Sequence, residues 1–120
     1  MDRRRIFVLA TLVTGFVAIA ALAPSAFGTG STATATHTVT MTDFKFRIVP
    51  VRVRPGTHRF VVINRGQATH DFKIGTKKTR ILNPGQRQTL TVTLKRGRYT
   101  VTCTVPGHAA LGMRQRLVVG

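Results

Sequence analysis

The chain has 120 residues, room for one small domain once a leader is set aside. Its formal net charge is +16, from 19 Lys and Arg against three acids, Asp2, Asp43 and Asp71, with no Glu. A single Cys excludes an intrachain disulfide, and the length excludes a large multidomain enzyme.

Residues 1–28 have the layout of a secretory signal peptide or membrane anchor. Arg3, Arg4 and Arg5 precede an uncharged, mostly apolar run from Ile6 to Ala23. Pro24 follows, and Ala26-Phe27-Gly28 offers small residues for cleavage. The run is at the short end of what spans a bilayer, and Thr11, Thr14 and Gly15 dilute it, which favours cleavage. Either way the domain is expected outside the cytoplasm, periplasmic, extracellular or at the cell surface, with an uncleaved segment as a membrane tether. Residues 29–36, all Thr, Gly, Ser and Ala, read as a flexible linker.

From residue 37 onward short β-type runs alternate with turns, and no amphipathic helix or internal repeat stands out. His37–Thr42 alternates Val39 and Met41 with threonines. Val49–Arg54 alternates valines with arginines, and Pro50 implies a late start or an edge position. Pro55-Gly56 turns the chain into Thr57–Asn64, whose unbroken Phe60-Val61-Val62-Ile63 suggests burial on both faces. Asp71–Gly75 is a further short strand. Asn83-Pro84-Gly85 is a turn before Gln86–Leu94, and Lys95-Arg96-Gly97 leads into Arg98–Thr104. Gln115–Val119 closes the chain. Seven or eight short, evenly spaced strands predict an all-β sandwich, whose loops gather at its two ends.

The chemistry concentrates in residues 103–113, Cys-Thr-Val-Pro-Gly-His-Ala-Ala-Leu-Gly-Met. The only Cys stands close to His108 and Met113, and Pro106-Gly107 can fold the loop so that their side chains converge. His70, in Asn64-Arg-Gly-Gln-Ala-Thr-His-Asp-Phe72, is placed to add a second imidazole. Two His, one Cys and a weak thioether form the ligand set of a blue-copper site. Structural zinc prefers four strong ligands, so copper is the expected metal. Alone, each residue has a plainer reading: an inert buried Cys, a core Met, ordinary loop histidines. Together, at these spacings in an exported chain, they read as one metal site. His37 and His58 lack such company and are expected at the surface.

These residues resemble the cupredoxin family of small blue-copper proteins. The resemblance covers residues 37–120. It is strongest in Gly97-Arg-Tyr-Thr-Val-Thr-Cys103 through Met113 and in Asn64-x-Gly66-x-x-x-His70-Asp-Phe72, with Met41-Thr-Asp-Phe44-Lys-Phe46 similar to the first strand. It implies a Greek-key β-sandwich, His70, Cys103 and His108 as equatorial ligands of one copper ion, and Met113 as the axial ligand. Two features depart from it. Plastocyanin- and azurin-like members usually carry Asn after the first His, where this chain has Asp71, whose carboxylate can still accept a backbone N–H from the Cys103 loop. Many relatives also have acidic or neutral docking faces, where this chain is basic.

The leading function is therefore a one-electron Cu(II)/Cu(I) carrier that is not an enzyme. His108 would be its conduit, within an apolar collar of Pro106, Ala109, Ala110 and Leu111. The alternative is an exported protein for copper storage, delivery or resistance, although such proteins favour Met- and His-rich clusters and this chain has three Met. A metal-free adhesion-type sandwich is a third reading. The expected partner of a monomeric carrier is an acidic redox protein, steered by cations that include Lys95 and Arg96. Export argues against a nucleic-acid partner.

Overall fold

The computed structural model describes residues 12, 14–23, 25 and 33–120. Much of the leader expected over 1–28 and the first half of the linker expected over 29–36 lie outside the described residues. Among those described, no helix is long and apolar enough to cross a membrane. The chain divides between Gly30 and Ser31, and the unit Ser31–Gly120 carries every described strand.

The strands are β1 (Ala35–Thr42), β2 (Lys45–Val49), β3 (Arg52–Val53), β4 (Gly56–Asn64), β5 (Lys73–Ile74), β6 (Lys77–Lys78), β7 (Arg87–Leu94), β8 (Gly97–Thr102) and β9 (Arg114–Val119). One sheet runs β2-β1-β4-β7 and the other β3-β9-β8-β5-β6, so the all-β sandwich expected from the sequence is present. The strands are rich in Thr and Val, whose branched Cβ suits a pleated, half-buried surface.

Alternation sets which face turns inward. Val39 and Met41 of β1, Phe60 and Val62 of β4, and Val92 and Leu94 of β7 meet Phe72, Ile74, Val101, Leu117 and Val119 from the other side. Full burial of one large apolar side chain contributes about 1.5–3 kcal/mol. The packed interface between the sheets, and not the two-residue ladders of β3, β5 and β6, therefore holds the sandwich together.

Several details differ from expectation. β4 is not buried on both faces: Phe60 and Val62 point inward, while Val61 and Ile63 are only partly covered. The run Val49–Arg54 is not one strand. Val49 ends β2, Val51 is exposed, and only Arg52 and Val53 pair, with β9. β2 escaped notice because it is an edge strand whose Lys45 and Arg47 face solvent. Ala35 and Thr36, assigned to the linker, already pair with His58 and Arg59.

His37 and His58 are also not surface residues. Both are buried, and parallel pairing of β1 with β4 brings them together. His58 Nε2–H donates to the Arg54 carbonyl at 2.8 Å, so its Nδ1 accepts from His37 Nε2–H, also at 2.8 Å.

The strand directions gather the other functional residues at the opposite end of the sandwich. There β1 ends at Thr42, β4 ends at Asn64 and β8 ends at Thr102, while β2, β5, β7 and β9 begin.

Candidate metal centre

Two loops and one hairpin turn build this end. The first loop, between β4 and β5, carries His70. Its backbone is fixed by reciprocal bonds with Leu82, N–H to O at 3.1 Å and O to N–H at 2.7 Å. The buried Asn64 braces the loop from below, donating to the carbonyls of Ala68 and Leu82 and accepting the Gly66 N–H.

The second loop joins β8 to β9. It is a nest of tight turns: His108 N–H reaches the Val105 carbonyl, Leu111 N–H reaches Gly107, and Met113 N–H reaches His108. Gly107 and Gly112 supply the positive φ that these turns require, 83° and 107°. The loop closes where the Cys103 N–H donates to the Met113 carbonyl at 3.1 Å. Cys103 and Met113 are thus held side by side although the loop lies between them.

The loops converge on one point. His70 Nδ1 and His108 Nδ1 are 3.1 Å apart, and Cys103 Sγ is 3.6 Å from His108 Nδ1. One donor atom from each of the three residues lies within 4.8 Å of the others. Imidazole nitrogens about 2.0–2.1 Å from a shared ion stand about 3–3.4 Å apart at ordinary bond angles, so the spacing fits a common ion. His70, Cys103 and Met113 are fully buried or nearly so, and His108 is half-buried at the tip. Two imidazoles and a thiol make a soft-to-borderline donor set suited to one copper ion. Burial pushes the Cys103 thiol up, with the Asp71 charge adding to it, so the thiolate depends on a bound cation to form.

Two carboxylates brace the donors. Asp71, next to His70, accepts the Thr104 N–H at 2.6 Å and the Thr104 hydroxyl. It ties the His70 loop to the Cys103 loop, as its position after the first His suggested it could. Asp43, in the β1–β2 turn, has a role that sequence reasoning missed. It accepts His70 Nε2–H at 2.7 Å, and also the N–H groups of Gln67 at 2.8 Å and Ala68 at 3.1 Å. The Gln67 N–H, the His70 ring and the Ala68 N–H hold its carboxyl below the usual range. With the proton fixed on Nε2, the Nδ1 lone pair is left facing the common point. The one available signal was the motif Met41-Thr-Asp43-Phe44 itself. Phe44 packs edge-on against both imidazoles, with ring centroids 6.0 Å from His70 and 4.8 Å from His108.

A family described as the cupredoxin-like domain matches residues 11–114. No curated protein matches the chain by sequence. Among solved structures, dithionite-reduced auracyanin from Roseiflexus castenholzii aligns with a TM-score of 0.62 at 20% identity, over 73% of this chain and 98% of its own. Auracyanin A, a blue copper protein from Chloroflexus aurantiacus, aligns at 0.59 and 18%, over 72% of this chain and 100% of its own. Reduced rusticyanin aligns at 0.57 and 22%, over 71% and 79%. At these identities the likeness is one of fold.

Proposed function

Because the chain belongs to the cupredoxin-like domain family, we propose that it is an electron-transfer protein outside the cytoplasm, carrying one electron at a time on a single type 1 copper. His70, Cys103 and His108 would hold the ion, with Met113 as a weak fourth donor. The observation that carries this reading is the convergence of His70 Nδ1, His108 Nδ1 and Cys103 Sγ on one point.

A copper ion held there supplies a Cu(II)/Cu(I) couple, which a mixed imidazole, thiolate and thioether set tolerates in both states. The chain's own residues supply the rest. Asp43 keeps the His70 proton on Nε2, Asp71 locks Thr104 and with it the Cys103 loop, and Phe44 walls the two imidazoles. Cross-links of this kind limit rearrangement when the charge at the site changes. His108, half-buried among exposed loop residues, is the route by which an electron enters and leaves.

Storage or delivery would call for exchangeable ligands. Here three of the four proposed ligands are buried and anchored from both loops, which favours a resident ion and a carrier. The test is to add Cu(II) to the protein and record visible absorption and EPR. An intense thiolate-to-copper band is expected, and it should vanish in Cys103→Ala, since no other thiol exists to replace it. A band that survives this substitution refutes the assignment.

A further inference from the structure

The apolar tip is small. Leu111 is 62% exposed, and no charged residue lies between Cys103 and Met113. Around this tip the strand ends place cations. Lys45 opens β2, Lys73 opens β5, Arg87 opens β7 and Arg114 opens β9, while Arg65 follows β4 directly. All five side chains are exposed. In one sheet Thr102, the residue before Cys103, pairs with Arg114 on one side and Lys73 on the other; in the other sheet Ile63, next to the end of β4, pairs with Arg87. The two acids at this end are engaged inward, Asp43 on the His70 loop and Asp71 on Thr104.

Resting on the carrier reading above, we propose that this cation ring and the tip it encloses are the docking surface for an acidic redox protein, whose carboxylates engage Arg65 and Arg87. These two arginines line one groove of about 430 Å³ together with Ile63, Asn64, Gly66 and Gly85. Guanidinium forks bind carboxylates in a bidentate manner, so this groove is the part of the ring that gives a partner orientation as well as attraction. An anionic bilayer fits less well. Anchoring in a bilayer interface uses several large apolar or aromatic side chains, and this tip exposes only Leu111.

The same geometry moves the docking charge away from Lys95 and Arg96, where the sequence suggested it. They form the β7–β8 turn, while Cys103 follows the other end of β8. At about 3.3 Å per residue, the stretch from Arg96 to Cys103 separates them from the site by about 23 Å. Charges more than about 8 Å apart are largely screened at physiological salt. Lys95 and Arg96 therefore contribute to the overall field and not to the docked complex.

The experiment compares Arg65→Glu/Arg87→Glu with Lys95→Glu/Arg96→Glu. The probe is cytochrome c made acidic by succinylation of its lysines. Docking is read by NMR titration of isotope-labelled protein, and electron exchange by stopped flow. The wild-type rate should fall steeply as salt rises, and reversal at Arg65 and Arg87 should slow low-salt exchange by about tenfold or more. Reversal at Lys95 and Arg96 should change it less than about twofold, and both variants should keep the copper spectrum. Equal effects of the two reversals, or a larger effect at Lys95 and Arg96, overturn the proposal. So does tight binding to phosphatidylserine vesicles, lost with Arg65 and Arg87, alongside a salt-independent cytochrome rate. Docking shifts around Leu111, Arg65 and Arg87 without any copper spectrum would refute the carrier reading and leave the surface assignment standing.

Discussion

Asp43 Oδ1 stands 2.7 Å from His70 Nε2. The two residues are 27 positions apart, and the contact exists because the β1–β2 turn folds over the loop that follows β4. It fixes which nitrogen of His70 carries the proton. Asp43→Ala should therefore weaken copper binding by about 10–100-fold, the usual cost of losing a partner that orients a ligand. Competitive titration with a copper chelator reads this. Unchanged affinity would mean that the imidazole is held by the fold alone.

Gly66 leaves the space that this contact needs. A Cβ there would lie 2.3 Å from Asp43 Oδ1 and 3.0 Å from His70 Nε2. Gly66→Ala should displace the carboxylate and lower stability by about 1–3 kcal/mol. Its effect on copper affinity should overlap with that of Asp43→Ala, so that the double variant falls short of the sum. Full additivity in a double-mutant cycle would separate the two residues.

The buried His37–His58 pair predicts an acid-sensitive fold. Burial holds the His37 pKa below its ordinary value near 6.5, with the His58 charge adding to it. The surrounding charged side chains, Arg52 and Arg54, are also cationic. The unfolded chain thus takes up the His37 proton first as pH falls. The His37 contribution is fully present above about pH 6.5 and is lost progressively below it. His37→Phe should cost about 1–3 kcal/mol at neutral pH by leaving His58 Nδ1 without its donor. In return, thermal melts of the variant should depend less on pH over this acid range. Equally steep pH dependence in both proteins would clear His37 of any part in it.

Met113→Leu should retain copper and colour and raise the redox potential. Loss of a weak thioether donor destabilises Cu(II) more than Cu(I). Voltammetry with no shift would leave Met113 as core packing alone.

How much of this was legible in the sequence depended on distance along the chain. Cys103 and His108 share one loop, so their spacing alone pointed to a cluster, and the Thr/Val alternation of β1 and β7 announced strands. The Asp43–His70 and His37–His58 contacts span 27 and 21 residues and depend on which strands become neighbours. Parallel pairing of β1 with β4 puts Ala35 opposite His58 and His37 opposite Phe60. No local pattern reports that register, and His37 and His58 taken singly looked like surface residues. β2 was hidden for a simpler reason: at an edge, half of its side chains meet water, and the charges of Lys45 and Arg47 masked the alternation of Phe46 and Ile48.

Voltammetry of the copper-loaded wild type, with copper counted before and after repeated cycling, tests most directly whether one resident ion carries the electron. A reversible one-electron wave, one copper per chain and no loss of metal are expected. An irreversible wave, or copper released on each reduction, would mark the protein as a holder or deliverer of copper and end the carrier reading.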